Sequence, residues 1–125
     1  IAFTMAETTN LIRVFVYGTL RLGEPYHHLM SACEYLGPRS TAPEYELVNI
    51  GRYPGLIMDG ATSVRGDLFL VTPEILEKLD EYEGYPEDYS RESIDLEGSE
   101  TAVAYIYRLN VENCPKIVSG DWKKR

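Results

Sequence analysis

Residues 79–91 read LDEYEGYPEDYSR and place Asp80, Glu81, Glu83, Glu87 and Asp88 around the end of an expected helix. The carbonyl end of a helix carries partial negative charge, so acid there weakens the helix. Carboxylates held against that cost are candidates for proton transfer. On a helical wheel Leu76, Leu79 and Glu83 fall at i, i+3 and i+7, with Ile75 and Tyr82 alongside, on the stripe that faces a core. Glu74, Glu77, Lys78 and Glu81 can point to water. Glu83 therefore continues the apolar face. Partial burial and the helix carbonyls both disfavour its charged form there. Both effects raise its pKa toward the range of general acid–base catalysis. The bland alternative is a frayed, solvated glutamate. A rotated helix would turn Asp80 inward instead, so the two acids compete for the role.

A second stretch, VFVYGTLRLGEPYHH at residues 14–28, runs an apolar segment into Tyr17, Gly18, Thr19 and Leu20. Gly18 lets the backbone turn sharply or approach a ligand closely. Successive N–H groups in such a turn can form an anion-binding nest. A glycine after a strand more often marks only a turn. No GxGxxG or GxxxxGK[ST] pattern occurs, so a nucleotide phosphate is not implied.

The elements that would position these residues follow from periodicity and punctuation. Residues 11–17 (LIRVFVY) read as a strand buried on both faces. Pro25 opens a short helical stretch over residues 26–33. Strands are expected around residues 34–36, 45–50 and 64–71, with a break at Gly51, Pro54 and Gly55 before a strand-like 56–58. Thr72-Pro73-Glu74 is a helix start, and Gly84 is its stop. Residues 89–96 and 102–109 read as two more strands around a turn at residues 97–99. The polar tail from Val111 is expected to be only partly ordered. Many strands and two helices argue α+β, with a mixed or antiparallel sheet curled into a barrel.

The 125 residues suit one domain with a core of its own, expected over residues 5–125. Residues 1–4 read as a remnant ahead of a natural start at Met5, with no secretory signal pattern. No apolar run is long enough to span a bilayer, and a cytoplasmic location follows by default. The net charge of −8 opposes a nucleic-acid partner, although a local site can still hold an anionic small molecule. Cys33 and Cys114 form no CxxC and are expected as reduced thiols. His27 and His28 are adjacent and do not share a helix face, so no metal site is expected.

Taken together, VFVYGTLRLGEPYHH, LDEYEGYPEDYSR and AYIYRL (residues 104–109) resemble the gamma-glutamylcyclotransferase-like family, including the gamma-glutamylamine cyclotransferases. The resemblance spans residues 14–107 in the family's order. It implies a small mixed β-barrel flanked by helices. It also implies release of a γ-glutamyl group as 5-oxoproline with a free amine, through attack by the substrate's own α-amine, with no cofactor or metal. By the resemblance Glu83 is the catalytic acid/base. The amides of Tyr17, Gly18, Thr19 and Leu20 hold the γ-glutamyl portion, and Tyr89 and Tyr107 line the cleft. Two other readings stand beside it: a fold that binds a small metabolite without turning it over, and a surface-recognition protein with an incidental cleft.

Overall fold

A computed structural model of the chain describes residues 10–125. The remnant expected at residues 1–4 lies outside the described residues. The strands are β1 (Ile12–Val16), β2 (Glu34–Ser40), β3 (Tyr45–Asn49), β4 (Pro54–Met58), β5 (Arg65–Val71), β6 (Tyr89–Asp95) and β7 (Thr101–Tyr107), and the helix α1 is Pro73–Glu83. They form one mixed sheet of order β2-β5-β1-β7-β4-β3, with β6 also paired to β7.

β6 runs antiparallel along the whole of β7. A strand has two edges, so β1 and β4 must share the other one. Both are parallel to β7, β1 meeting it at Val103 and β4 further along at Ile106. The sheet therefore forks where β1 leaves this edge and β4 takes it over. The loop carrying Gly18 begins at the fork.

Side chains alternate across this sheet as period-two geometry requires. From β1, Val14 and Val16 join Phe69, Val71, Tyr105 and the helix residues Leu76 and Leu79 on one face. Phe15 and Tyr17 join Leu56, Leu68, Ile106 and Trp122 on the other. The double burial expected for β1 is thus present. Helix α1 starts where Thr72 Oγ1 accepts the Ile75 N–H at 3.3 Å, with Pro73 in the first turn. It ends at Gly84, whose φ of 65° is the left-handed conformation that favours glycine there.

Four expectations need correction. The sheet does not close into a barrel. Among the described residues β2 and β6 are linked only by an isolated bridge between Thr41 and Leu96, just past the end of each strand, and residues 115–117 cover the outer edge of β3. β2 is bulged between Tyr35 and Gly37 and contains Pro38, which has no N–H to offer a ladder. The helix expected at 26–33 is a 3-10 turn, His27–Met30. Only Met30 in that turn is buried, too little packing to hold a longer helix. β4 begins at Pro54 rather than after it, a position where proline's missing N–H does no harm.

The tail, finally, is packed. Ile117 is 5% exposed and Trp122 1% exposed, both within the core on the face away from α1. A polar composition concealed two apolar anchors. Trp122→Ala is expected to cost about 3–5 kcal/mol of unfolding free energy, read as a fall in the urea midpoint at unchanged slope.

Candidate active site

The loop after β1, the start of β4 and the last turn of α1 enclose a cleft of about 460 Å³. Tyr17, Gly18, Thr19, Leu20, Glu83 and Tyr89 all line it. Tyr107 does not; it packs edge-on against Tyr89 with ring centroids 5.2 Å apart. Tyr105, on the same face of β7 two residues earlier, lines the cleft instead. The fork explains this. Where β1 gives way to β4 the wall is left to Tyr105, while Tyr107 lies further along β7, beside β4.

Tyr17 bridges the fork. Its hydroxyl donates to the Tyr105 carbonyl at 2.6 Å and accepts the Leu56 N–H at 3.2 Å. The next residues turn tightly, with Arg21 N–H donating to the Gly18 carbonyl at 3.1 Å and Tyr26 N–H to the Thr19 carbonyl at 3.0 Å. Among the described residues, the N–H groups of Gly18, Thr19 and Leu20 donate to no backbone carbonyl in this turn. Three consecutive amides without such partners border the cleft and are free to donate to a ligand there. Thr19 Oγ1 lies 2.8 Å from the Tyr82 hydroxyl, so the loop is also tied to α1.

Glu83 projects from the last turn of α1 into the cleft. Burial pushes its carboxyl from an ordinary 4.5 up to about 7. Its neighbours are phenols. Burial raises Tyr17, Tyr89 and Tyr105 above the usual range, and the Glu83 charge adds to each. These phenols therefore stay protonated and neutral while Glu83 titrates. Glu81, Asp88 and Arg52 complete the charged lining.

Asp80, the competing acid, is committed elsewhere. It accepts the Tyr105 hydroxyl at 2.6 Å and lies 3.2 Å from Arg91 Nε. It does not line the cleft. Burial pushes the Cys33 thiol up to about 11, which keeps it un-ionised. Among the described residues, no three His, Cys, Asp or Glu side chains are grouped to hold a metal ion. No helix among them is long and apolar enough to cross a membrane.

Sequence reasoning missed Tyr105, Tyr53 and Pro54 as cleft residues. The only available signal was parity. Tyr105 and Tyr107 share a face of one strand, so either could reach a site on that face.

Sequence and fold both match one known family. The profile described as gamma-glutamyl cyclotransferase, AIG2-like, matches residues 14–124, and the chain belongs to that family. A Vibrio cholerae protein provisionally named gamma-glutamylcyclotransferase is 43% identical over 112 residues, covering 90% of this chain and 96% of its own. The gamma-L-glutamyl-butirosin B gamma-glutamyl cyclotransferase of Niallia circulans is 33% identical over 120 residues, covering 89% of this chain and 75% of its own. The solution structure of Escherichia coli ytfP matches with a TM-score of 0.72 at 32% identity, over 89% of this chain and 96% of that one.

Proposed function

We propose that this chain converts a γ-glutamyl amide to 5-oxoproline and a free amine, with Glu83 as the general acid/base. The observation that carries the reading is one juxtaposition: a carboxyl raised to about 7 faces the same cleft as the amides of residues 18–20.

The substrate's α-ammonium cannot attack until it loses a proton. Ionised Glu83 takes that proton, and the freed nitrogen attacks the γ-carbonyl carbon. The carbonyl oxygen becomes an oxyanion, and N–H groups of Gly18, Thr19 or Leu20 stabilise it or hold the α-carboxylate. As the intermediate collapses, the bond from the γ-carbon to the leaving nitrogen breaks. Glu83 returns its proton to that nitrogen, then takes the second proton from the ring nitrogen, which the attack had left positively charged, and passes it to the amine, which departs as an ammonium. Ring and amine leave, and the enzyme is unchanged. The attack is intramolecular, so holding the γ-glutamyl chain folded contributes much of the rate. The neutral phenols of Tyr17, Tyr89 and Tyr105 wall the cleft without competing for the proton.

The test is 5-oxoproline release from a panel of γ-glutamyl peptides, γ-glutamyl-lysine and γ-glutamyl-protected amino sugars. Release from none of them would shift weight to a binding protein of the same fold. The base must be ionised, so kcat/KM is expected to rise with pH through about 7, the value to which burial brings Glu83. An acidic limb near 4.5, the ordinary glutamate value, would exclude a buried Glu83 as the base.

A further inference from the structure

The sequence singles out Asp80 as the competing acid, yet the proposed reaction uses neither it nor its ion-pair partner Arg91. The structure joins Asp80 to Tyr105, and Arg91 to Asp80, in one continuous assembly. At one end, the backbone carbonyl of Tyr105 accepts the Tyr17 hydroxyl at 2.6 Å and so holds the root of the amide loop. At the other end, the side-chain hydroxyl of the same residue donates to Asp80 Oδ1 at 2.6 Å. Asp80 also governs the end of α1. Its carbonyl accepts the Gly84 N–H and, at 2.9 Å, the Tyr85 N–H, closing the turn that contains Glu83.

Arg91 backs the carboxylate at 3.2 Å, as an ion pair without good hydrogen-bond alignment. Its guanidinium lies 4.6 Å from the centroid of the Tyr85 ring, just beyond that turn. Tyr105 therefore touches the two halves of the site through two different atoms.

We infer that Tyr105 and Asp80, backed by Arg91, are positioning residues that fix the separation between Glu83 and the amides of residues 18–20. The inference rests on the cyclotransferase reading for its kinetic test. The physical logic is that of a spacer. The amine and carbonyl of one substrate must meet base and cradle together, and a misplacement of about 1 Å can cost on the order of 100-fold in rate. A hydroxyl between an ionised carboxylate and a strand is a short, stiff link, because the carboxylate can only accept.

The test compares Tyr105→Phe, Asp80→Ala, Asp80→Asn and the Tyr105→Phe/Asp80→Ala pair with the wild type, with Tm recorded for each. The first two are expected to lower kcat by about 10- to 100-fold with KM changed little. Asp80→Asn keeps an acceptor for the Tyr105 hydroxyl and is expected to retain most of the rate. The double variant should be no slower than the slower single variant, because both remove one link. Multiplying losses, or unchanged kcat in both single variants, would overturn the inference.

A readout independent of turnover is the NMR titration of the Glu83 carboxyl. Tyr105→Phe adds no charge and makes the wall more apolar, which alone would raise the Glu83 pKa. Release of the turn would instead lower it from about 7 toward 4.5. The charges nearby, Glu81, Asp88 and Arg52 in the cleft and the Asp80–Arg91 pair behind Tyr105, are the same in both proteins. An unshifted or raised value in Tyr105→Phe would sink the clamp even if the wild type released no 5-oxoproline, an outcome that refutes the enzymatic reading separately.

Discussion

Glu83→Gln is expected to lower 5-oxoproline release by at least about 100-fold and up to 10,000-fold, the usual contribution of a positioned acid/base. Glutamine keeps the size and the polar tip but neither takes nor returns a proton. The loss should fall on kcat, with KM little changed, because the cradle at residues 18–20 remains. The same substitution has an opposite effect on stability. Glu83 titrates near 7 when folded and near 4.5 when ordinary, so the folded state holds its proton through that interval. The stability linked to that proton is complete below about 4.5 and is lost as pH rises through about 7. At pH 8 the wild type carries a desolvated charge that Gln lacks. Discounted for partial exposure, the Gln variant is expected to be about 1–3 kcal/mol more stable there, and about equal near pH 4. Urea titrations at both pH values check this. An inactive variant with no pH-dependent gain would point to disrupted structure; a fully active one would remove Glu83 from the mechanism. A site that gains stability when its key group is removed is one shaped by function rather than folding.

Much of this site is local and was legible for that reason. Thr72, Pro73 and Gly84 bound the helix within eleven residues, and Leu76 and Leu79 set which side Glu83 faces. β1 announced its double burial by an apolar run interrupted only by Arg13, with Val14 and Phe15 on opposite faces. The fork at β7 was not legible, because it depends on where β4 meets an edge already used by β1, and Leu56 pairs with Ile106 and Val14 with Val103 across long stretches of sequence. Tyr105 was missed for the same reason. Parity places Tyr105 and Tyr107 on one face, and only the position of β4 decides which of them borders the cleft. The tail misled by composition. Its charge suggested solvent, whereas Ile117 and Trp122 are buried against the sheet face away from α1, a long-range contact that no local pattern reveals.

Gly18→Val is expected to lower kcat/KM by about 100-fold, mainly through a raised KM, while the fold survives. A Cβ at residue 18 would lie 2.7 Å from both Cγ and Cδ of Pro54. Those atoms belong to a closed ring at the first residue of β4, and the Pro54 carbonyl is held by the Tyr89 hydroxyl at 3.0 Å. The proline cannot swing aside as a flexible side chain would, so the loop must lift from β4. Overpacking of this kind costs typically about 1–3 kcal/mol, which a domain of this size can tolerate. In the proposed reaction the amides of residues 18–20 are not so tolerant, since a displaced N–H loses the substrate oxygen it would hold. Contact with Pro54 is the constraint, so the defect should be reparable from the other side. Gly18→Ala adds only the Cβ and is expected to be impaired less than the valine variant. Pro54→Ala removes both ring atoms that the new Cβ would meet. The Gly18→Ala/Pro54→Ala pair is therefore expected to bind substrate better than Gly18→Ala alone. Unaltered KM in Gly18→Val would remove the loop from substrate binding. A paired variant no better than Gly18→Ala would mean that the contact with β4 is not what holds the cradle in place.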